Sequence, residues 1–224
     1  LQIVPLNSFY YIFGIRQILL DNSIFFEVIA QKCCNNKRLL VQYTHEKLHK
    51  EGFYMNVYTT DKVRNVVLLG HGGCGKTSLA EAMAFLSGIT TRMGTVADGN
   101  TISDFDKEEA RRLCSIHTSV IPILWQDTKI NLLDTPGSFD FVGEVEEAVS
   151  AADAAIIVVS GKAGIETGTR RAWELCEQYK LPRIIFVTDM DIDNASYRQV
   201  VEDLQAMYGK KIAPFHLPVR ENGE

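Results

Sequence analysis

Four residues at a fixed spacing could hold a phosphate group between the first predicted strand and the first predicted helix. Gly70, Gly75, Lys76 and Thr77 match the pattern G-x-x-x-x-G-K-[ST]. Backbone N–H groups of a glycine-rich loop can close around a phosphate, and the positive end of the following helix adds to the attraction. The alternative is a glycine-rich turn that binds no ligand. We expect the loop to contact phosphate through Gly70, His71, Gly72, Gly73, Cys74, Gly75, Lys76, Thr77 and Ser78.

We assign a specific role to three side chains of this loop. Lys76 is expected to reach the β- and γ-phosphates of a nucleotide, and Thr77 to place its hydroxyl on Mg²⁺. Cys74 stands at the helix start beside Lys76, and both features favour a thiolate. A small side chain that merely fits the loop is an equally acceptable interpretation of Cys74.

A second motif offers a carboxylate for the metal. The tetrapeptide Asp134-Thr135-Pro136-Gly137 follows the apolar run Ile130–Leu133. An acidic residue at a strand end beside a phosphate loop can hold Mg²⁺, and the Gly137 N–H can donate to the γ-phosphate. An ordinary turn without a ligand is the alternative.

A third motif is suited to recognising a base. Thr188, Asp189 and Asp191 follow the apolar run Ile184–Val187. The carboxylate of Asp191 can accept hydrogen bonds from both N1–H and N2–H₂ of guanine, and adenine lacks this pair of donors. The nucleotide would then be GTP or GDP. A helix-preceding acidic loop without a ligand is the alternative.

Strands and helices must alternate to bring these motifs together. The predicted strands are 66–70, 118–125, 129–134, 154–160, 183–187 and 211–217, and the predicted helices are 76–87, 141–150, 166–179 and 195–207. This order predicts an α/β three-layer P-loop NTPase fold, with a mostly parallel sheet, one antiparallel edge hairpin and helices on both faces. Ligands bind such sheets at the carboxyl ends of the strands. The polar stretch 88–117 predicts a long functional or mobile loop.

Composition limits the class of protein. The 224 residues, 46% of them hydrophobic, can bury one sizeable core. A net charge of −5 argues against binding through bulk positive charge, and we expect no sequence-specific contact with nucleic acid. Five cysteines without regular spacing suit reduced thiols in a cytoplasmic protein better than a disulfide framework.

Residues 1–54 differ from the rest of the chain and are expected to lie outside the folded domain. Six Lys or Arg against four Asp or Glu give them a charge of +2, and they lack a helical or alternating period. The apolar run Phe9–Leu20 contains Arg16 and is shorter than the ~20 residues of a membrane span, so we expect no membrane partner. We interpret the segment as translated upstream sequence, with Met55 as the natural start.

Residues 62–218 resemble the GTP-binding domain of the translational GTPases, most closely that of elongation factor G. The similarity lies in GHGGCGKT, SGITTRMGTVADGNTISDFDKEEARR, LLDTPGSFDFVGEVEEAVSAADAAIIVVSGKAGIETGT and RAWELCEQYKLPRIIFVTDMD. The resemblance implies a factor that binds GTP or GDP with Mg²⁺, hydrolyses GTP and acts on the ribosome in translocation. It also implies that Glu109–Ser115 belongs to the first switch, with Ser115 as a Mg²⁺ ligand that senses the γ-phosphate.

Two places depart from the pattern of that family. Where the family has a histidine that positions the attacking water, this chain has Ser138. Where the family has Asn-Lys-x-Asp at the guanine base, Thr188 and Asp189 replace the first two residues, so the lysine that covers the base is missing. The predicted catalytic residues are Lys76, Gly137 and Ser138. Because of the two departures, slow hydrolysis is expected.

Three interpretations of the function stay open. Residues 55–218 are expected to form an incomplete GTP-binding domain and residues 219–224 to begin a truncated insertion subdomain. The chain is then a GTP hydrolase of the translation-factor class, a GTP-dependent ribosome-binding switch that hydrolyses little, or a ribosome-protection protein of the tetracycline-resistance type. Ser138 bears on the choice between the first two.

Overall fold

The computed structural model describes residues 10–14 and 57–216, which form one sheet surrounded by helices. The strands in this part of the chain are β1 (Tyr10–Gly14), β2 (Val63–Gly70), β3 (Ser119–Trp125), β4 (Thr128–Asp134), β5 (Ala154–Ser160), β6 (Arg183–Thr188) and β7 (Ile212–Pro214). The α-helices are α1 (Lys76–Leu86), α2 (Lys107–Arg112), α3 (Val142–Ala151), α4 (Thr167–Gln178) and α5 (Tyr197–Tyr208). Among the described helices, none is long and apolar enough to cross a membrane.

The sheet has the strand order β3-β4-β2-β5-β6-β1-β7. The β3–β4 hairpin is antiparallel and lies at one edge, while every other described pairing is parallel. The predicted fold class is therefore confirmed. The short turn between β3 and β4 forces the antiparallel pairing, whereas the parallel strands need helical crossovers between them.

Two hydrophobic cores lie on opposite faces of the sheet. In β2, Val66 and Leu68 face the core that includes α1, while Val67 and Leu69 face the core that includes α3, α4 and α5. Successive residues of a strand point to opposite faces, so a strand covered on both sides must be apolar throughout. β5 meets this condition along almost its whole length, which is why its predicted bounds match those of the structure.

One short strand contradicts the expectation that residues 1–54 contribute nothing to the fold. β1 lies between β6 and β7 and pairs in parallel with both, with Ile12 opposite Ile185 and Tyr10 opposite Ile212. The prediction is wrong for these five residues, which form a strand. Their sequence, YYIFG, consists mainly of aromatic and β-branched types that favour strands. Residues 1–9, residues 15–56 with Met55 among them, and residues 217–224 lie outside the described part of the chain.

α2 lies inside the polar stretch that was predicted as a loop. The Asp106 side chain accepts from Glu108 N at 2.7 Å, and Asp106 N donates to Glu109 Oε2 at 3.3 Å. The helix thus begins with a capping box. The sequence lacks the apolar periodicity that locates the other helices, but the Asp-x-x-Glu spacing is a signal that could have found this one.

Buried and half-buried glutamates hold the polar stretch against the domain. Glu81 of α1 is 1% exposed and accepts hydrogen bonds from Gly94 N, at 2.9 Å, and from Ile102 N. Glu144 of α3 accepts from Thr118 N at 2.7 Å. The Thr118 N–H is the largest cause of the lowered pKa of Glu144. The stretch is therefore positioned by carboxylate contacts to its backbone.

Glu81→Ala is expected to lower the free energy of unfolding by about 1–3 kcal/mol, because two backbone N–H groups lose their acceptor. Urea unfolding measures the loss, and hydrogen exchange at Gly94 and Ile102 shows where it arises. Glu174→Ala, on the exposed side of α4, is the control. Equal losses in the two variants would contradict this account of the polar stretch.

Candidate functional site

The carboxyl edge of the parallel strands brings the three sequence motifs together. β2 ends at Gly70, β4 at Asp134 and β6 at Thr188. β2 pairs with both β4 and β5, and β5 pairs with β6. Parallel neighbours end at the same edge, so residues far apart in the sequence become neighbours in space.

Lys76 lies inside the phosphate loop that it is predicted to serve. It is 6% exposed, and its Nζ donates to the carbonyl oxygens of Gly70 at 3.1 Å and His71 at 2.8 Å. The ammonium group is thus held at the loop by backbone oxygens. The His71 imidazole lies beside Glu166, with Nε2 3.5 Å from Glu166 Oε1.

Two glycines of the loop have conformations and surroundings that exclude a side chain. Gly70 has φ +149°, and a Cβ on it would lie 2.5 Å from Val158 O. Gly75 has φ +90°, and a Cβ on it would lie 3.1 Å from Thr188 Cγ2. The remaining small residues of the loop are open to solvent, namely Gly72, Gly73 and Ser78. The backbone of the loop is therefore accessible to a ligand.

Cys74 is buried beneath the loop, with 1% of its surface exposed. Burial raises the pKa of its thiol, and this outweighs the opposing charge of Lys76. The Sγ atom lies 2.8 Å from the position that a Gly70 Cβ would take. The structure therefore favours the interpretation of Cys74 as a small packed side chain over that of a reactive thiolate.

The three side chains predicted to hold Mg²⁺ meet at the start of α1. Thr77 Oγ1 donates to Asp134 Oδ2 at 2.8 Å and lies 3.2 Å from Ser115 Oγ. Asp134 is 1% exposed, and within the described residues its Oδ1 has no hydrogen-bond partner. A buried carboxylate oxygen with free lone pairs, beside two hydroxyls, suits a hard cation with oxygen ligands. The residues present therefore fit Mg²⁺.

Burial also perturbs the titration of Asp134. Loss of solvation raises its pKa to about 6, although the Thr77 hydrogen bond and the Lys76 charge both act in the opposite direction. A carboxylate that is difficult to ionise without a nearby cation is a common property of functional sites.

The loop after β4 touches the phosphate loop through glycine. A Cβ on Gly137 would lie 2.6 Å from both Gly72 Cα and Lys76 Nζ, so a side chain there would push the two loops apart. Ser138 Oγ donates to Asp140 Oδ2 at 3.1 Å and accepts from Asp140 N at 3.4 Å. Ser138 is therefore the N-cap of the short 3₁₀ helix Phe139–Phe141.

The polar side chains at the end of β6 and in the loop after it have different surroundings. Thr188 Oγ1 donates to Cys74 O at 2.8 Å and so fastens the phosphate loop. Asp189, with φ 56°, accepts from Ser160 Oγ at 2.6 Å. Asp191 is exposed and remains available to a ligand. Sequence reasoning missed Ser160, whose signal is a hydroxyl that ends an otherwise apolar strand.

Asp134→Asn is expected to stabilise the nucleotide-free protein at pH 7. The native-state pKa of about 6 exceeds the ordinary value of 3.8, so the ionised carboxylate disfavours folding by up to about 3 kcal/mol. This penalty is fully present above the native pKa and disappears as the pH falls from about 6 to about 4. Urea unfolding between pH 4 and 8, without Mg²⁺ or nucleotide, measures the difference between variant and wild type.

Asp203→Asn, at an exposed position of α5, is the control for this experiment. A gain in stability that did not shrink toward low pH, or no gain at all, would contradict the assigned cost of burying Asp134.

Known proteins share this arrangement over most of the described residues. Residues 61–217 match the Elongation factor Tu GTP binding domain family. The elongation factor G-like protein of Mycobacterium tuberculosis is 39% identical over 156 residues, which are 70% of this chain and 22% of that protein. Mitochondrial ribosome-releasing factor 2 of Anopheles gambiae is 37% identical over 163 residues, 73% of this chain and 22% of that protein.

A crystal structure of a Thermus thermophilus protein has a TM-score of 0.69 at 41% identity, covering 73% of this chain and 24% of the other. The chain thus spans less than a quarter of the length of these relatives. The matched region contains the phosphate loop, the loop after β4 and the loop after β6. The chain therefore belongs to the Elongation factor Tu GTP-binding domain family, the GTP-binding domain of translational GTPases.

Proposed function

We propose that this chain is the GTP-binding and GTP-hydrolysing domain of a translation factor that resembles elongation factor G and acts on the ribosome. The observation that carries the proposal is the cluster of Thr77, Asp134 and Ser115 oxygens beside the Lys76 ammonium. An ammonium that can bind phosphate and an adjoining oxygen site for a divalent cation are the two parts that nucleoside triphosphate hydrolysis requires.

Each residue of the cluster has a distinct task in this proposal. Lys76 binds the β- and γ-phosphates once it exchanges its backbone acceptors for phosphate oxygens. Thr77, Ser115 and Asp134 hold Mg²⁺, directly or through water. A bound Mg²⁺ would neutralise charge that develops on the phosphates during transfer. The Gly137 N–H, at the contact between the two loops, donates to the γ-phosphate.

Guanine recognition falls to the loop after β6. Asp191 is exposed and accepts the two N–H donors of the base. Thr188 and Asp189 support the loops around the base through their bonds to Cys74 and Ser160. The preference for guanine over adenine therefore depends on the Asp191 carboxylate alone, because this motif has no lysine to cover the base.

Ser138 favours a second candidate, a GTP-dependent ribosome-binding switch that hydrolyses slowly. Its hydroxyl is bonded to Asp140, two residues along the chain. A serine side chain is also shorter than an imidazole and reaches less far toward an attacking water. The ribosome is the proposed partner in both cases, since relatives named for elongation and ribosome release share this domain.

Calorimetry tests nucleotide binding in the presence of Mg²⁺. The chain is expected to bind GTP and GDP and to bind ATP far more weakly, and Lys76→Ala is expected to reduce GTP binding below detection, because the phosphate oxygens lose their cation. Arg198→Ala, a surface cation on α5, is the control. Equal affinity for ATP and GTP, or full binding by Lys76→Ala, would overturn the proposal.

Single-turnover hydrolysis with added ribosomes tests the role of Ser138. Removing one group that positions or stabilises the reacting atoms typically costs ~10²–10³ in rate, so Ser138→His is expected to raise turnover by up to that factor. Ser196→His, which alters the serine cap of α5, is the matched control. The same rate for Ser138→His and wild type would remove the argument for slow hydrolysis.

A further inference from the structure

The segment between α2 and β3 carries Ser115 to the predicted metal site. Ser115 Oγ lies 3.2 Å from Thr77 Oγ1, although the two residues belong to separate parts of the chain. Ser115 lies in no regular element of the structure. Contacts from neighbouring side chains must therefore hold the segment in place.

Glu109, on α2, makes these contacts on both sides of Ser115. Its carbonyl oxygen accepts from Cys114 N at 3.3 Å. Its Oε1 accepts from Ile116 N at 2.9 Å and from His117 N at 3.0 Å. The residue before Ser115 and the two residues after it are thus bonded to one glutamate.

The carboxylate of Glu109 is itself held in one position. It is 1% exposed, and its Oε2 accepts from Asp106 N at 3.3 Å, at the start of the same helix. Hydrogen bonds from backbone N–H groups to a carboxylate are stronger than those between neutral groups. A buried carboxylate with several backbone donors is a rigid anchor, because any movement would leave both the charge and the donors unpaired.

A second carboxylate fixes the far end of the segment. Glu144 Oε2 accepts from Thr118 N at 2.7 Å, and Glu144 Oε1 lies 3.5 Å from His117 Nδ1. The segment is therefore anchored to α2 on both sides of Ser115, and to α3 at its downstream end. The Ser115 hydroxyl lies within the stretch that Glu109 bonds, 3.2 Å from Thr77 Oγ1.

We propose that Glu109 is a positioning residue that sets Ser115 over Thr77, so that the site distinguishes a nucleotide with a γ-phosphate from one without it. The inference rests on the proposed function of the site. Glu109 acts through the backbone of residues 114–117. A helix cap that only stabilises α2 is the opposing account, and the two accounts differ in what they predict for GTP and GDP.

The test compares the affinities of fluorescent GTP and GDP analogues for the chain at several Mg²⁺ concentrations. Glu109→Ala releases the backbone N–H groups of Ile116 and His117 beside Ser115 and is expected to weaken GTP binding about tenfold or more relative to GDP. It is also expected to raise the Mg²⁺ concentration needed for half-maximal GTP binding. Glu108→Ala is the matched control, since Glu108 lies on the same helix and its side chain bonds Arg111 and Arg112.

Glu109→Gln keeps an oxygen that can accept from Ile116 and His117 N–H groups, so it is expected to restore most of the GTP preference. Ser115→Ala is expected to lose the same preference, and the double variant with Glu109→Ala to lose little more, because both changes remove one interaction. GDP affinity and the thermal unfolding of each variant establish that the domain remains folded.

The outcomes separate the inference from the function on which it rests. If wild type binds neither GTP nor GDP, the proposed function fails. If wild type binds both and Glu109→Ala weakens them equally, or if its effect adds fully to that of Ser115→Ala, Glu109 is only a structural cap and the inference is overturned. A selective, non-additive loss of GTP affinity supports it.

Discussion

The hydrogen bond from the Thr77 hydroxyl to the buried Asp134 carboxylate joins the two chain segments on which the site depends. Thr77 lies at the start of the helix after β2, and Asp134 ends β4. Because β2 and β4 are parallel neighbours, their carboxyl ends lie at the same edge of the sheet. The Ser115 hydroxyl and the contact of Gly137 with the phosphate loop lie beside this junction.

Buried carboxylates serve two different purposes around this junction. Glu81 and Glu109 accept hydrogen bonds from backbone N–H groups and so hold the polar stretch in place. Asp134 accepts from the Thr77 hydroxyl, and burial still raises its pKa. Glu81 and Glu109 therefore organise the fold, whereas one oxygen of Asp134 has no hydrogen-bond partner among the described residues. A cation at Asp134 would relieve a cost that the protein itself leaves uncompensated.

The sequence predicted most of the fold because most of its strands and helices have a recognisable pattern of apolar residues. β5 is apolar through six of its seven residues and has the predicted bounds, and β3 and β4 differ from prediction by one residue at their starts. The misses have physical reasons. α2 is a polar helix specified by capping rather than by periodicity. β1 is a short strand whose place between β6 and β7 depends on pairing partners distant in the sequence.

The sequence by itself determined which residues could bind a phosphate, because the glycine and lysine spacing of the loop is a local backbone requirement. It also determined the candidate metal ligands, since Thr77 and Asp134 each lie at the end of a recognisable element. Only the tertiary structure decided that Cys74 is buried, that Asp189 bonds Ser160, and that Glu109 bonds the backbone on both sides of Ser115. Each of these contacts depends on which segment a side chain faces. The packing of one element against another sets that orientation, and the local sequence does not encode it.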